Sequence, residues 1–192
     1  MLKIKDRETL AIVSGVIGLG GMTLVDGISR RLRISKRSYR EAAAGMFLSK
    51  GQAKSPQGQV LGLVMNSAVS ILGANYIIKR LTQSGRDKLL MKGIVSGTAI
   101  GAIATAIPNV VPKNRVKPKD AASNISYVVS NIVYGMLATF AAAQFGHNSL
   151  FDTPPQNDYL KPTEETSEQM RFEKAKKLNP TKNNLQEYPE LL

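Results

Sequence analysis

The chain has 192 residues, with 26 Lys plus Arg against 14 Asp plus Glu, one His, no Cys and no Trp. Without cysteine there is no disulfide framework, thiolate nucleophile or Cys-ligated zinc, and one imidazole excludes a His-based metal cluster. The formal net charge of +12 is unevenly spread: residues 1–145 hold 20 basic and 6 acidic side chains and residues 146–192 hold 6 and 8, so the composition breaks after Phe145.

The opening MLKIKDRETLAIVSGVIGLGG has a basic end and an apolar run, as a signal peptide does. Because the run passes into Asp26 and a long basic segment, it reads instead as a retained membrane span at about 9–25. Seventeen uncharged residues from Thr9 to Val25 are the lower limit for a helix crossing a hydrocarbon core. Gly15, Gly18, Gly20 and Gly21 would weaken that helix in water. In lipid, backbone groups must bond internally, and the glycines become packing surface. Asp26 reads as an interfacial carboxylate, at the headgroups or paired with the arginines that follow.

Residues 26–54 carry Arg30, Arg31, Arg33, Lys36, Arg37, Arg40, Lys50 and Lys54 against Asp26 and Glu41, and cannot span. Ile28, Leu32, Tyr39, Ala43 and Met46 fall near one helical stripe, which predicts a basic interfacial helix whose Arg30, Arg31, Arg33, Lys36, Arg37 and Arg40 contact anionic headgroups. Nucleic acid is the competing partner and is disfavoured, because no aromatic platform interleaves the charges and the segment is tethered between spans. Residues 42–48 are too short to cross and are expected to follow the surface or dip shallowly.

After the loop signal Ser55-Pro56-Gln57-Gly58, a second span covers about 59–78. Its Asn66 and Asn75 lie about 180° apart at 100° per residue, so they cannot share one face. The short basic turn that follows predicts antiparallel, neighbouring second and third spans. The third, about 93–111, carries Gly93, Gly97, Gly101 and Thr105 at intervals of four, a row that another backbone can approach closely. Pro108 should kink or end it before Pro112. A fourth span at about 125–145 has a polar first half with Ser126, Ser130 and Asn131, which calls for helix partners.

Val13-Ser14-Gly15 recurs as Val95-Ser96-Gly97, a faint echo of a duplicated hairpin. Residues 1–148 therefore read as an all-α, four-helix membrane domain, and 149–192 as a polar linker and mobile tail with one short helix at about 163–178. Basic residues near the membrane number 12 on the side of 26–54 and 112–124 against 8 on the other, which places the first side in the cytoplasm and both termini outside.

No catalytic motif emerges. There is no GxxxxGK[ST] loop, His147 reads as an interfacial polar residue, and the sequon at Asn124 abuts a span. No catalytic, metal or cofactor-binding residue is assigned, and no cofactor is expected. The run at 15–29 (GVIGLGGMTLVDGIS), the SGRDKLLMKG turn at 84–93 and the Tyr134-Gly135 step together resemble small, uncharacterised four-helix integral membrane proteins of bacteria. That resemblance implies the bacterial cytoplasmic (inner) membrane and carries no activity to transfer.

Three function classes follow. The leading one is a structural or interaction protein of the membrane, with the bilayer and anionic headgroups as partners and the tail as a docking point for a protein. The second is a small transporter or channel subunit, a homo-oligomer joined through Gly93, Gly97 and Gly101, with Asn66, Asn75, Ser126, Ser130 and Asn131 along its path. The third, a lipid-modifying enzyme, lacks an acid, base or metal constellation. Polar residues on one water-accessible face would favour transport; polar residues each bonded to another helix would favour structure.

Overall fold

The computed structural model describes residues 3–110 and 121–151, with the backbone alone at 108–110. Asp6 starts the first helix: its carboxylate accepts from the Thr9 amide at 2.7 Å and the Thr9 hydroxyl at 2.6 Å. Those bonds hold its pKa below the ordinary carboxylate value. Helix α1 (Arg7–Arg31) follows, then two short helices, α2 (Tyr39–Ala44) and α3 (Lys50–Lys54), and the long α4 (Pro56–Ser84), α5 (Leu89–Val110) and α6 (Ala121–Phe145). Ser55 both ends α3 and caps α4, with Pro56 in the first turn where its missing N–H costs nothing. Four helices, α1, α4, α5 as far as Ile107, and α6, are long and apolar enough to cross a membrane. They extend the runs read from sequence because capped, charged turns continue the helices past the apolar stretch. The backbone remains helical through Pro108 to Val110.

Helix α6 is the hub, packed against α1, α4 and α5, while α1 also lies along α4. The expected pairing of the second and third spans does not form: α4 and α5 are joined by a tight turn yet barely touch. The reason lies in the α5 glycines, which face α6. A Cβ at Gly97 would fall on the Asn131 carbonyl oxygen and 3.0 Å from the Ile132 Cα, and one at Gly93 would lie 2.8 Å from the Met136 Cα. Gly135 answers from α6, directly against the backbone of Gly93 and Gly97. The turn itself is held by Lys92, whose ammonium donates to the Ser84 carbonyl at 2.7 Å and the Gly85 carbonyl at 3.1 Å and pairs with Asp87 at 2.7 Å. Gly85 takes φ 75°, in the left-handed region that glycine adopts without steric cost.

The basic segment is not one interfacial helix. A turn at 32–38 breaks it after α1, and α2 folds back into the bundle with Tyr39, Glu41 and Ala42 to Ala44 buried, the Arg40 backbone lying on Gly62 of α4. Ile28 and Leu32 stay exposed at 58% and 64%, so the predicted stripe is divided between two helices with different surroundings. At the opposite end of the bundle, Ile4 accepts from the His147 amide and donates to the Phe145 carbonyl, both at 2.8 Å. Leu150 and Phe151 are buried there, with the Arg86 guanidinium 4.9 Å above the Phe151 ring, so the core continues past the expected boundary at 148. The residues expected to form the 112–124 interface up to 120, the 152–192 stretch and its tail helix lie outside the described residues.

Gly97→Ala should lower the unfolding temperature in detergent, by the equivalent of about 1–3 kcal/mol for overpacking against a fixed backbone. Gly20→Ala, where a Cβ meets nothing within 4 Å, should be neutral or slightly stabilising. Equal behaviour of the two variants would remove close α5–α6 contact as a source of stability.

Candidate functional site

Where α4 and α5 part, a cleft of about 490 Å³ opens sideways from the bundle. Its walls are Met65 to Tyr76 of α4 and Ala99 to Ile107 of α5; Asn131 and Tyr134 of α6 and Met22 of α1 form its back, and Ala42, Ala43 and Met46 close one end. Its volume lies within the range of small-molecule sites. Among the described residues the lining holds no charged side chain. Leu72 and Ile103, on opposite lips, are 70% and 62% exposed, so the mouth is apolar as well.

The back of the cleft is built by polar bonds between helices. Tyr39 of α2 stands against Tyr127 of α6, ring centroids 4.5 Å apart, and its hydroxyl receives the Asn131 amide at 2.7 Å beside Thr105 of α5. Asn131 also donates to the Tyr127 carbonyl at 2.8 Å, and the Tyr127 hydroxyl donates to the Arg37 carbonyl at 2.9 Å. Burial pushes the Tyr39 phenol above its ordinary pKa, with the Thr105 and Asn131 bonds acting in the opposite direction. One turn above, the Tyr134 hydroxyl donates to the Ser70 carbonyl of α4. Its ring occupies space that only glycine leaves open, at Gly18 of α1 and Gly73 of α4.

The residues singled out by sequence separate into distinct roles. Gly93, Gly97 and Gly101 lie on α6, Gly101 against the Asn131 side chain, and Thr105 meets Tyr39. Asn66 is 7% exposed in the cleft wall, whereas Asn75 is exposed on the opposite face of α4, as their spacing requires. Ser130 returns its hydroxyl to the Ser126 carbonyl at 2.8 Å, and the buried Ser126 hydroxyl has no partner among the described residues. Of the basic cluster, Arg31, Arg33 and Lys36 are exposed, Arg37 and Arg40 are half-buried, and Arg30 lies 3.7 Å from the buried Glu41. Asp26 is buried, accepting the Tyr39 amide with Arg30 and Arg40 nearby. His147 caps a single turn (Asn148–Leu150), its Nδ1 2.8 Å from the Ser149 hydroxyl. No group of three His, Cys, Asp or Glu capable of holding a metal occurs among the described residues.

Sequence reasoning passed over Tyr39, Tyr134 and Ser70 as site residues. A signal for Tyr134 was present: a tyrosine in the middle of an apolar run lies away from the interfaces where tyrosine usually sits, so its hydroxyl needs an internal acceptor. No protein-family model, curated protein or solved structure matches the chain.

Tyr39→Phe keeps the tilted ring contact with Tyr127 but removes the oxygen that accepts from Asn131. Stability in detergent should fall by about 1 kcal/mol, and amide exchange should rise in α2 before the rest of the bundle. Unchanged exchange in α2 would show that the hydroxyl does not hold it.

Proposed function

We propose that this chain is a multi-pass integral membrane protein of structural or interaction type, seated in the bacterial cytoplasmic membrane. The observation that carries the reading is the apolar exterior of the four long helices. Leu24, Val60, Leu72, Ile103 and Ile125 are between 60% and 70% exposed, on elements whose buried positions are often Gly, Ser or Ala. In water such a surface would aggregate; in a bilayer it faces acyl chains while small residues form the helix contacts. The location in a bacterial membrane is supported by the resemblance of the glycine-rich segments.

Internal polar groups favour structure over transport. Asn131, Ser130 and Tyr134 each bond a backbone or a neighbouring helix, and Ser67 and Thr98 return their hydroxyls to their own helices at 2.8 Å. Asn66 and Asn75 face opposite ways. Asn131 and Tyr134 tie helices to one another, while Ser130, Ser67 and Thr98 are satisfied within their own helices. The exposed Arg31, Arg33 and Lys36, with Arg30 at their edge, form the surface for anionic headgroups.

The protein should remain with membranes through high-salt and alkaline washing, since apolar spans anchor it more firmly than its charge. Release by either treatment would overturn the integral reading. Orientation can be read with introduced cysteines, because the chain has none of its own. Ser35 is 4% exposed and a poor site, whereas Lys36 beside it is exposed. With termini outside, an impermeant thiol reagent applied to intact cells should label Ser167→Cys and spare Lys36→Cys. The reverse pattern would invert the topology.

A further inference from the structure

We propose that the lateral cleft between α4 and α5 binds a lipid quinone, with a ring carbonyl accepting a hydrogen bond from the Asn66 amide. The inference rests on the integral-membrane reading. It starts from a local imbalance: Asn66 is 7% exposed, lines the cleft, and its side chain makes no hydrogen bond to any described residue. Ser70, one turn further along α4 and 5% exposed, adds a hydroxyl to the same wall. Neighbouring tethers are already engaged, since Asn131 bonds Tyr39 and Tyr134 bonds the Ser70 carbonyl. A buried amide left unbonded in hydrocarbon is costly, so the natural occupant brings the missing acceptor.

Depth and charge narrow that occupant. Asn66 sits at the middle of the uncharged run 55–78, hence near the bilayer midplane once α4 spans. Among the described residues no charged side chain lines the cleft, so a charged headgroup at that depth finds no counter-ion there. A plain acyl chain would fill the space but leave the amide unsatisfied. A glycerolipid carries carbonyls, but its hydrated backbone stays at the interface. A quinone is neutral, dissolves in the hydrocarbon, and presents a carbonyl on a flat ring. The small side chains of Ala43, Ala99 and Ala104 leave room for that ring, and its prenyl chain leaves through the mouth between Leu72 and Ile103. The proposal is one of binding and assigns no redox step.

The test uses the full chain reconstituted in vesicles of phosphatidylethanolamine and phosphatidylglycerol, with an aryl-azide benzoquinone as photoprobe and unlabelled decyl-benzoquinone as competitor. Labelling should be saturable, fall on α4 and α5 peptides, and be displaced by the competitor. Asn66→Leu should weaken competition roughly tenfold, the loss of one buried hydrogen bond to ligand. Ala104→Phe, which fills the cleft, should abolish labelling; if it does not fold, Asn66→Leu with wild-type melting still decides. Labelling that is uncompeted, unchanged in Asn66→Leu or spread over the whole outer surface overturns the proposal. Displacement by diolein as effective as by the quinone also overturns it, in favour of an acyl lipid. A chain that washes out of the vesicles with alkali refutes the integral reading, whereas one that stays inserted without specific labelling refutes only the quinone.

Discussion

Helix α6 is approached to backbone contact from one side by α5, and on its other side the Tyr134 ring bridges α1 and α4. Gly93 and Gly97 meet Gly135 and the Asn131 to Met136 backbone on the first side. On the other, Tyr134 fills the notches at Gly18 and Gly73. Both arrangements use the absence of a side chain, and both put polar backbone within reach of a partner. The Tyr134 hydroxyl can find the Ser70 carbonyl because no Cβ on α4 keeps it away at Gly73. For helices that span a bilayer, as proposed for these four, the hydrophobic effect does not drive association, and such close packing and the bonds it allows supply the adhesion.

The same constraint explains the position of α2. A short helix carrying Arg40 and Glu41 has no reason to leave the surface unless its buried polar groups are bonded. Here Ser38 caps it by accepting from the Glu41 amide at 3.1 Å, Asp26 accepts the Tyr39 amide, Arg30 faces Glu41, and the Tyr39 hydroxyl meets Asn131 and Thr105. Ala42 to Ala44 then fit against α4, where Gly62 admits the Arg40 backbone. Tyr39 ties α2 to α6 through its hydroxyl, near Thr105 of α5, and lies beside α1 through Asp26. Removing its hydroxyl therefore tests whether the re-entrant segment is held by polar bonds or by apolar contact alone.

The four long helices were legible because each uncharged run is bounded by charges, and the opposite facing of Asn66 and Asn75 followed from helical geometry alone. The fold of 26–54 was not. Its apolar stripe was traced across residues 32–38, where the chain turns and Arg33 takes φ 58°, so residues on α1 and α2 were assigned to one face. The turn at 85–88 was read as making neighbours of α4 and α5, but a connection fixes only where two helices begin and end. Which face packs was decided by the glycine row, and the row selects the helix that can offer Gly135 in return. The cleft was therefore invisible from sequence, since it exists only because α5 turns its small-residue face away from α4.

That choice also bears on assembly. An oligomer joined through Gly93, Gly97 and Gly101 would need a face that α6 already covers, so a second copy could use it only by displacing α6. The part of α5 left over is its apolar lip, with Ile103 and Ile107 exposed beside the open cleft. A gap of this kind in a bilayer would ordinarily take up neighbouring acyl chains and need no explanation. What distinguishes this one is the Asn66 amide in its wall, for which acyl chains offer no hydrogen-bonding partner. Among the other described asparagines of the long helices, Asn131 is held by its bonds to Tyr39 and Tyr127, Asn75 is exposed toward the end of α4 that carries Lys79 and Arg80, and Asn124, in the first turn of α6, has a buried side-chain oxygen with no partner among the described residues. Asn66 differs from these in lining the cleft without a hydrogen bond to a described residue, and the quinone proposed above is what would supply its partner between α4 and α5.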